Sequence, residues 1–309
     1  MSKNEPAVLA HVLETGLMDT DVRPQDDFYR YVNGTWLKEH VIPADRASDG
    51  AFYALRDLSE DRCHQIAEDA VAGKIPGAEA ARIGILYDQF MDEATLNRLG
   101  STPIQPLLKA VDEAKTHEDL AELLGSLVRT GISGFFSVGV WTDMNDTSKY
   151  TANFEQAGLG LPDESYYRDE AYATYREKYE EHVAKVLTLA GVVESERAAL
   201  AATEVMRFET DLAAHHWDVV RSREIEAQNN PRTWAQVVDE NPGFSWEKWV
   251  EALGVDLDGE SLNVSQPDYL AAASALCKHT HLHSLKLWIA REIVDAFGPY
   301  LSQPFAEET

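Results

Sequence analysis

The sequence has few cysteines and no long apolar run. Two cysteines, Cys63 and Cys277, stand among 309 residues, too few for a disulfide framework or, alone, for a structural zinc site. We expect two buried free thiols rather than one long-range disulfide. No apolar run reaches the roughly 20 residues of a membrane-spanning helix, and the start of the chain lacks the apolar core of a signal peptide. These absences predict a soluble, cytoplasmic protein without a membrane partner, with leaderless export as the alternative.

Basic residues are scarce beside acidic ones. The chain has 27 Lys and Arg against 53 Asp and Glu, which gives a formal net charge of −26. Such a surface repels phosphate backbones and anionic lipids, so we expect no nucleic-acid partner. Hydrophobic residues make up 44% of the chain and charged residues 26%, as in soluble globular proteins of one large domain or two unequal ones.

Common catalytic motifs are missing as well. None of the ten histidines stands in the H-E-x-x-H pattern of zinc hydrolases. His279 and His283 are four residues apart, but no glutamate follows His279, and we interpret both as solvated or capping residues. The run 215–218, His-His-Trp-Asp, indicates local packing and hydrogen bonding at a helix end. The run 158–162, Gly-Leu-Gly-Leu-Pro, has neither the third glycine nor the lysine of phosphate-binding loops.

Helical periodicity dominates what is present. Apolar residues recur at steps of three or four over 50–71 and 78–96. Thr116, with Asp119 three residues later, predicts the N-terminus of another helix. Further long helices are predicted over about 169–190, 194–213 and 267–301.

One segment favours strands instead. Residues 134–141 and 150–155 are rich in β-forming residues and are joined by the polar loop TDMNDTSK, a pattern typical of a β-hairpin. The predicted fold class is therefore mainly α: a multi-helix lobe with one small β-hairpin insert at about 134–156.

Two longer stretches carry a family resemblance. Residues 23–45 read RPQDDFYRYVNGTWLKEHVIPAD, and residues 158–167 read GLGLPDESYY. Weaker similarities follow at 230–236, 244–246 and 266–270. In this order and spacing the chain resembles the N-terminal portion of neprilysin-type zinc metalloendopeptidases, which include the endothelin-converting enzymes and bacterial PepO-like enzymes. The RPQDD and LPDESYYRDE segments are especially similar in sequence to actinobacterial members of the family, including mycobacterial ones.

The same residues have ordinary structural interpretations. We expect Phe28, Tyr31, Trp36 and Leu37 to be core residues of a capped helix, and Gly34 to allow close packing. Family membership rests on the joint order and spacing of these residues, so the two interpretations do not compete.

The resemblance implies an activity that this chain does not complete. In the family, the H-E-x-x-H helix and a further glutamate ligand belong to a C-terminal half. The chain is accordingly predicted to be the N-terminal, non-zinc-binding portion of a zinc metalloendopeptidase that hydrolyses short peptides, and to be inactive and zinc-free alone. Its partners would be short peptide substrates and the C-terminal catalytic lobe of the same protein, and it would hold no catalytic or metal-binding residue of its own.

The resemblance also implies a domain division and a substrate site. Residues 1–50 would be a strip of the split catalytic lobe, and residues 51–309 a helical lobe beside the substrate chamber. Phe52 matches a phenylalanine that lines the first pocket beyond the scissile bond, and Arg56 matches an arginine of the next pocket. Ser48 stands where neprilysin has a carboxylate-binding arginine, and Arg46 is the candidate to reach the same space. The alternative for Phe52 and Arg56 is an ordinary core residue and a surface cation.

A second function class fits the same sequence. The chain is alternatively a non-catalytic helical module that binds peptides or proteins on the same scaffold. An unrelated acidic helical protein would require the ordered motif matches to be coincidence.

Overall fold

The computed structural model describes residues 15–44 and 46–309. The chain divides into two compact units, Met1–Gln89 and Phe90–Thr309. The predicted division after residue 50 concerns the lobes of a longer protein and stays a prediction. Residues 1–14 and Asp45 of the predicted strip lie outside the described residues. No described helix is both long enough and apolar enough to cross a membrane.

Helices α1 (Phe28–Glu39) and α2 (Ala51–Val71) and most of α3 (Ala78–Met91) make up the described part of the first unit. The Asp27 side chain caps α1 by accepting a hydrogen bond from the Arg30 amide at 2.9 Å. Gly34 is buried, and a Cβ there would lie 2.4 Å from the Cβ of Asp19. The predicted capped helix and the close-packing role of Gly34 are therefore confirmed.

The predicted core of this unit is wrong in part. Phe28 is 67% exposed and Leu37 43%, because among the described residues α1 packs mainly against the short 3-10 turn Thr15–Leu17. Cys63 on α2 is exposed as well, whereas Cys277 is buried, and both thiols are free. The expected pair of buried thiols is thus half correct.

The second unit contains the remaining α-helices of the described chain. They are α4 (Glu93–Leu99), α5 (Gln105–Glu113), α6 (His117–Val128), α7 (Ser165–Arg168), α8 (Ala173–Leu189), α9 (Ser195–Ala213), α10 (Ile225–Gln228), α11 (Trp234–Glu240), α12 (Trp246–Leu253), α13 (Pro267–His279), α14 (Leu282–Phe297) and α15 (Gln303–Ala306). Helices α8, α9 and α14 pack against one another, and α6 packs against α12. The mainly α fold class is confirmed.

The predicted start of α6 is confirmed by its capping box. Thr116 Oγ1 accepts from the Asp119 amide at 3.1 Å, and Asp119 Oδ2 accepts from the Thr116 amide at 2.9 Å. Further along α6, a Cβ on Gly125 would lie 2.1 Å from the carbonyl oxygen of Trp249 on α12. The missing side chain is what lets these two helices approach so closely.

Two predicted helices are each divided in the structure. The 78–96 helix is interrupted at Asp92, whose carboxylate caps α4 by accepting from the Thr95 amide at 3.0 Å. The 267–301 helix is interrupted after His279, where the Thr280 amide and hydroxyl both donate to the Leu276 carbonyl. In both cases a short polar side chain bonds the backbone locally and ends the helix. His279 and His283 consequently belong to different helices.

The predicted hairpin is confirmed, and it belongs to a larger sheet. Strands β1 (Phe136–Thr142) and β2 (Tyr150–Gln156) pair antiparallel, with Gly139 opposite Asn153. Strand β4 (Ser261–Val264) adds parallel to β2, and β3 (Pro231–Thr233) adds antiparallel to β4, giving the order β1-β2-β4-β3. The last two strands have four and three residues, too few for sequence periodicity to identify them.

The two faces of the sheet differ in chemistry because side chains alternate along each strand. On one face Phe136 and Phe154 pack against the indoles of α12; the ring centroid of Phe136 lies 5.1 Å from that of Trp246. The opposite face carries polar side chains that are nonetheless buried, among them Asn153 at 7% exposure and Asn263 at 5%. This second face forms the floor of a cavity.

Candidate functional site

Two of the three predicted substrate-pocket residues meet around Tyr53 in the first unit. The guanidinium carbons of Arg46 and Arg56 lie 5.7 and 5.2 Å from the centroid of the Tyr53 ring. Arg46 Nη2 donates to Asp57 Oδ1 at 3.0 Å, and Arg56 Nε lies 3.4 Å from Glu60 Oε1. The carboxylates and the ring hold two cations at the start of α2, so the structure brings Arg46 and Arg56 together.

Phe52 differs from the two arginines in its surroundings. It stands in the first turn of α2 and is 87% exposed, so the alternative interpretation as a core residue is wrong. Its role in a substrate pocket stays a prediction.

Asp49 fixes the segment that leads into α2. Its carboxylate accepts from the Gly50 amide and bonds the His40 ring, both at 2.8 Å. The pKa of Asp49 lies below its usual value, mainly because the carboxylate accepts the hydrogen bond from the Gly50 amide. His40 and Arg46 lower it further. Asp49 was missed in the sequence, although an Asp-Gly pair before a helix is a recognisable turn signal.

Ser48 has a partner of its own in this segment. Its hydroxyl lies 2.9 Å from the hydroxyl of Tyr53. Where the resemblance leads one to expect an arginine, this chain therefore has a serine. The Ser48 hydroxyl is hydrogen-bonded to the hydroxyl of Tyr53, whose ring contacts both Arg46 and Arg56. Tyr53 is the second contributor that the sequence analysis missed.

The described residues do not fit a zinc centre. Over residues 15–44 and 46–309, no three side chains of His, Cys, Asp or Glu are grouped so that they could hold a metal ion. His279, His281 and His283 line one cavity of about 830 Å³ together with Glu204 and Asp211, but they do not form such a group either.

The stretch 158–167, which carries much of the resemblance, encloses a buried carboxylate. Glu209 is fully buried, and its Oε2 accepts from the Tyr167 hydroxyl at 2.6 Å and from the Gly160 amide at 3.2 Å. Its Oε1 accepts from the Tyr179 hydroxyl at 2.9 Å and from the guanidinium of Arg291. Burial raises the pKa of Tyr167 far above its usual value, and the Glu209 charge adds to this, so both tyrosines stay protonated donors.

Gly160 is required by the same arrangement. A Cβ on Gly160 would lie 1.9 Å from the hydroxyl oxygen of Tyr179. This stretch therefore serves a buried polar network that holds the loop, α8, α9 and α14 together.

His216 confirms the predicted packing role of the His-His-Trp run. Its ring lies 4.5 Å from the Tyr269 ring in an edge-on arrangement. Burial lowers the pKa of the imidazole to about 4, so this half-buried histidine is neutral at pH 7.

A further cavity, of about 290 Å³, lies on the polar face of the sheet and has no counterpart in the sequence analysis. The Asn153 amide nitrogen donates to Glu155 Oε1 at 2.6 Å, while its oxygen accepts from the Asn263 amide at 2.6 Å and the Ser265 hydroxyl at 3.1 Å. The signal in the sequence is the polar alternation of 151, 153 and 155 and of 261, 263 and 265. It was missed because only the first of these runs was identified as a strand.

Comparisons with known proteins place this geometry in a family. A family model described as Peptidase family M13 matches residues 24–309. Endothelin-converting enzyme-like 1 from Rattus norvegicus is 25% identical over 307 residues, which cover 94% of this chain and 39% of that protein.

Solved structures agree with this match. The zinc metalloprotease ZMP1 of Mycobacterium tuberculosis, in complex with an inhibitor, superposes with a TM-score of 0.88 at 40% identity, over 96% of this chain and 45% of its own. PepO from Lactobacillus rhamnosis gives a TM-score of 0.75 at 20% identity over 92% of this chain and 45% of its own, a likeness of fold alone. The chain thus spans less than half the length of these relatives.

Proposed function

Because this chain belongs to peptidase family M13, we propose that it is the N-terminal, non-zinc-binding portion of a zinc metalloendopeptidase that hydrolyses short peptides. The observation that carries the proposal is the family match over residues 24–309, in a sequence whose ten histidines include no H-E-x-x-H. The zinc ligands would lie outside this chain, in a C-terminal catalytic lobe of the same protein. When bound there, zinc would supply an activated water and polarise the peptide carbonyl.

The first unit supports a substrate-facing role. Phe52 offers an exposed aromatic ring to an apolar side chain, and the cations Arg46 and Arg56 lie in the same turn region. Guanidinium groups suit peptide carbonyls and terminal carboxylates, because their donors are planar and paired. These residues are therefore proposed to bind and orient a peptide beyond its scissile bond.

Exposed apolar surface on the first unit supports a covering partner lobe. Beyond Phe52, the exposed apolar side chains include Phe28 at 67%, Tyr29 at 63%, Ile85 at 58% and Leu86 at 68%. These side chains are the kind of exposed apolar surface that a covering partner lobe would bury. The predicted cytoplasmic location stays a prediction.

Purified 1–309 is expected to hold well under one zinc per chain and to leave a fluorogenic peptide uncleaved. The product of the complete reading frame is expected to cleave that peptide and to lose the activity with a zinc chelator. Elemental analysis and a peptide-cleavage assay measure both. One tightly held zinc in 1–309 would overturn the proposal. A complete reading frame without H-E-x-x-H would instead support the non-catalytic binding module.

Phe52→Ala in the product of the complete reading frame is expected to raise KM about tenfold for peptides with an apolar residue after the scissile bond. An apolar pocket contact of this kind contributes roughly 1–3 kcal/mol, and the exposed position makes a folding defect small. Leu200→Ala, at an apolar and exposed site on α9 of the second unit, is the control and should leave KM unchanged. Equal kinetics for Phe52→Ala and the control would remove Phe52 from the site.

A further inference from the structure

We infer that the cavity on the polar face of the sheet binds the guanidinium of an arginine side chain, held between the Glu155 carboxylate and the Trp141 indole. This inference concerns the second unit alone and is independent of the zinc-peptidase proposal.

The strand register builds the cavity. Gly139 is opposite Asn153, Trp141 is opposite Thr151, and Asn153 is level with Asn263. Residues two apart on a strand share a face, so these side chains and Glu155 lie together on the face away from the aromatic core. At about 290 Å³, the space is at the lower limit of small-molecule pockets, roughly 300–1,000 Å³, and suits one long side chain.

The floor presents a carboxylate that is oriented but incompletely bonded. Asn153 Nδ2 donates to Glu155 Oε1 at 2.6 Å, and Asn153 Oδ1 accepts from Asn263 and Ser265. Within the described part of the chain, Glu155 Oε2 accepts no hydrogen bond and no cation pairs with the group. The free lone pairs of Glu155 Oε2 can therefore accept charge-assisted hydrogen bonds from an incoming guanidinium.

Trp141 provides an aromatic surface that lines the same cavity as this carboxylate. Its indole is 60% exposed and lies across Gly139, where a Cβ would be 3.1 Å from the indole nitrogen. Tryptophan is the aromatic ring that binds cations best, and guanidinium ions stack on it more often than ammonium ions do. The same contact occurs elsewhere in this chain, where the Arg221 guanidinium carbon lies 3.6 Å from the Trp217 ring centroid.

The remaining lining selects a cation with an apolar stem. Asp143 and Glu155 are its charged members, and no Lys, Arg or His among the described residues lines the cavity. Met144 and Ile225, which are 44% and 71% exposed, offer apolar surface to the methylene groups of the ligand. An acidic or neutral side chain would gain neither the ion pair nor the stacking, so we expect arginine to bind best and lysine to bind less well.

The test is calorimetric titration of the 309-residue chain with the peptide acetyl-Gly-Arg-Gly-amide and with its citrulline counterpart, which has the same shape without the charge. The arginine peptide is expected to bind at least tenfold more tightly. Glu155→Gln is expected to remove that difference, because glutamine keeps the acceptor for Asn153 but not the charge. Glu260→Gln, a charge loss just before β4, is the matched control and should retain it.

Trp141→Ala is the second variant, because an exposed side chain can be removed without a large effect on folding. It is expected to weaken the arginine peptide at least fivefold with unchanged circular dichroism. Equal binding of the arginine and citrulline peptides, or arginine selectivity retained in Glu155→Gln, would overturn the inference. Absence of binding at millimolar peptide would do the same. None of these outcomes bears on zinc-dependent cleavage, which is measured separately.

Discussion

Glu209→Ala is expected to lower the free energy of unfolding by about 3–5 kcal/mol, the usual cost of removing one partner from a buried ion pair. Glu209 is fully buried, and Arg291 is 3% exposed. The substitution leaves the Arg291 guanidinium with only its neighbours on α14, Glu292 and Asp295. Urea denaturation followed by circular dichroism measures the loss.

The control for this prediction is an exposed pair in the same unit. Lys109 and Glu113 on α5 are 3.5 Å apart and largely solvated, so Glu113→Ala should cost less than about 1 kcal/mol. Similar losses for Glu209→Ala and Glu113→Ala would contradict a structural role for the buried network.

Acidification is expected to destabilise the second unit through His216 by about 3 kcal/mol. Burial lowers the pKa of His216 from 6.5 to about 4 in the folded protein, and each pKa unit corresponds to about 1.4 kcal/mol. Because the folded pKa is the lower one, the unfolded chain takes up the proton first. The contribution is fully present above pH 6.5 and is lost as the pH falls through 4.

The measurement is the free energy of unfolding between pH 7.5 and 4, compared between the wild type and His216→Gln. The variant should be less stable at pH 7 but should lose much less stability on acidification. His281→Gln, at an exposed position, should follow the wild-type slope. If His216→Gln shows the wild-type slope, the acid sensitivity has another source.

His182 acts in the opposite direction over a higher pH range. Burial disfavours its charged form, but the hydrogen bonds and charges of Asp295 and Glu308 outweigh that and raise the pKa of His182 above 6.5. Its contribution to stability is therefore present below pH 6.5 and is lost as the pH rises through the folded pKa. The test of His216 compares the wild type with a single-site variant. The contribution of His182 to stability is then the same in both proteins and drops out of the difference.

Features set by neighbouring residues could be predicted from the sequence. The capping box at Thr116, the long helices α2, α8 and α9 and the β1–β2 hairpin all depend on residues close in the chain, and all are confirmed. The family resemblance is confirmed as well, because order and spacing over 158–167 are local patterns. That stretch contacts the buried Glu209 and so forms part of the scaffold of the fold.

Features set by distant residues could not be predicted. Strand β4 exists because it pairs with β2, and its four residues are too few for their alternation to identify a strand. The exposure of Phe28 depends on which elements pack against α1. The cavity joins Asn153 to Asn263, 110 positions away, and neither asparagine is distinctive alone. Arg46 and Arg56 could be named from the resemblance, but their shared partner Tyr53 required coordinates.

The parallel pairing of β2 with β4 has a consequence for the order of folding. The hairpin is synthesised about a hundred residues before β4, and α8 and α9 emerge in between. Closing so long a loop adds little equilibrium cost, since that cost grows only logarithmically, but distant pairing slows the search for the native state. Nascent chains therefore pass through an interval in which the edge of β2 has no neighbour, and the charge of Glu155 disfavours association of that edge with other chains during that time.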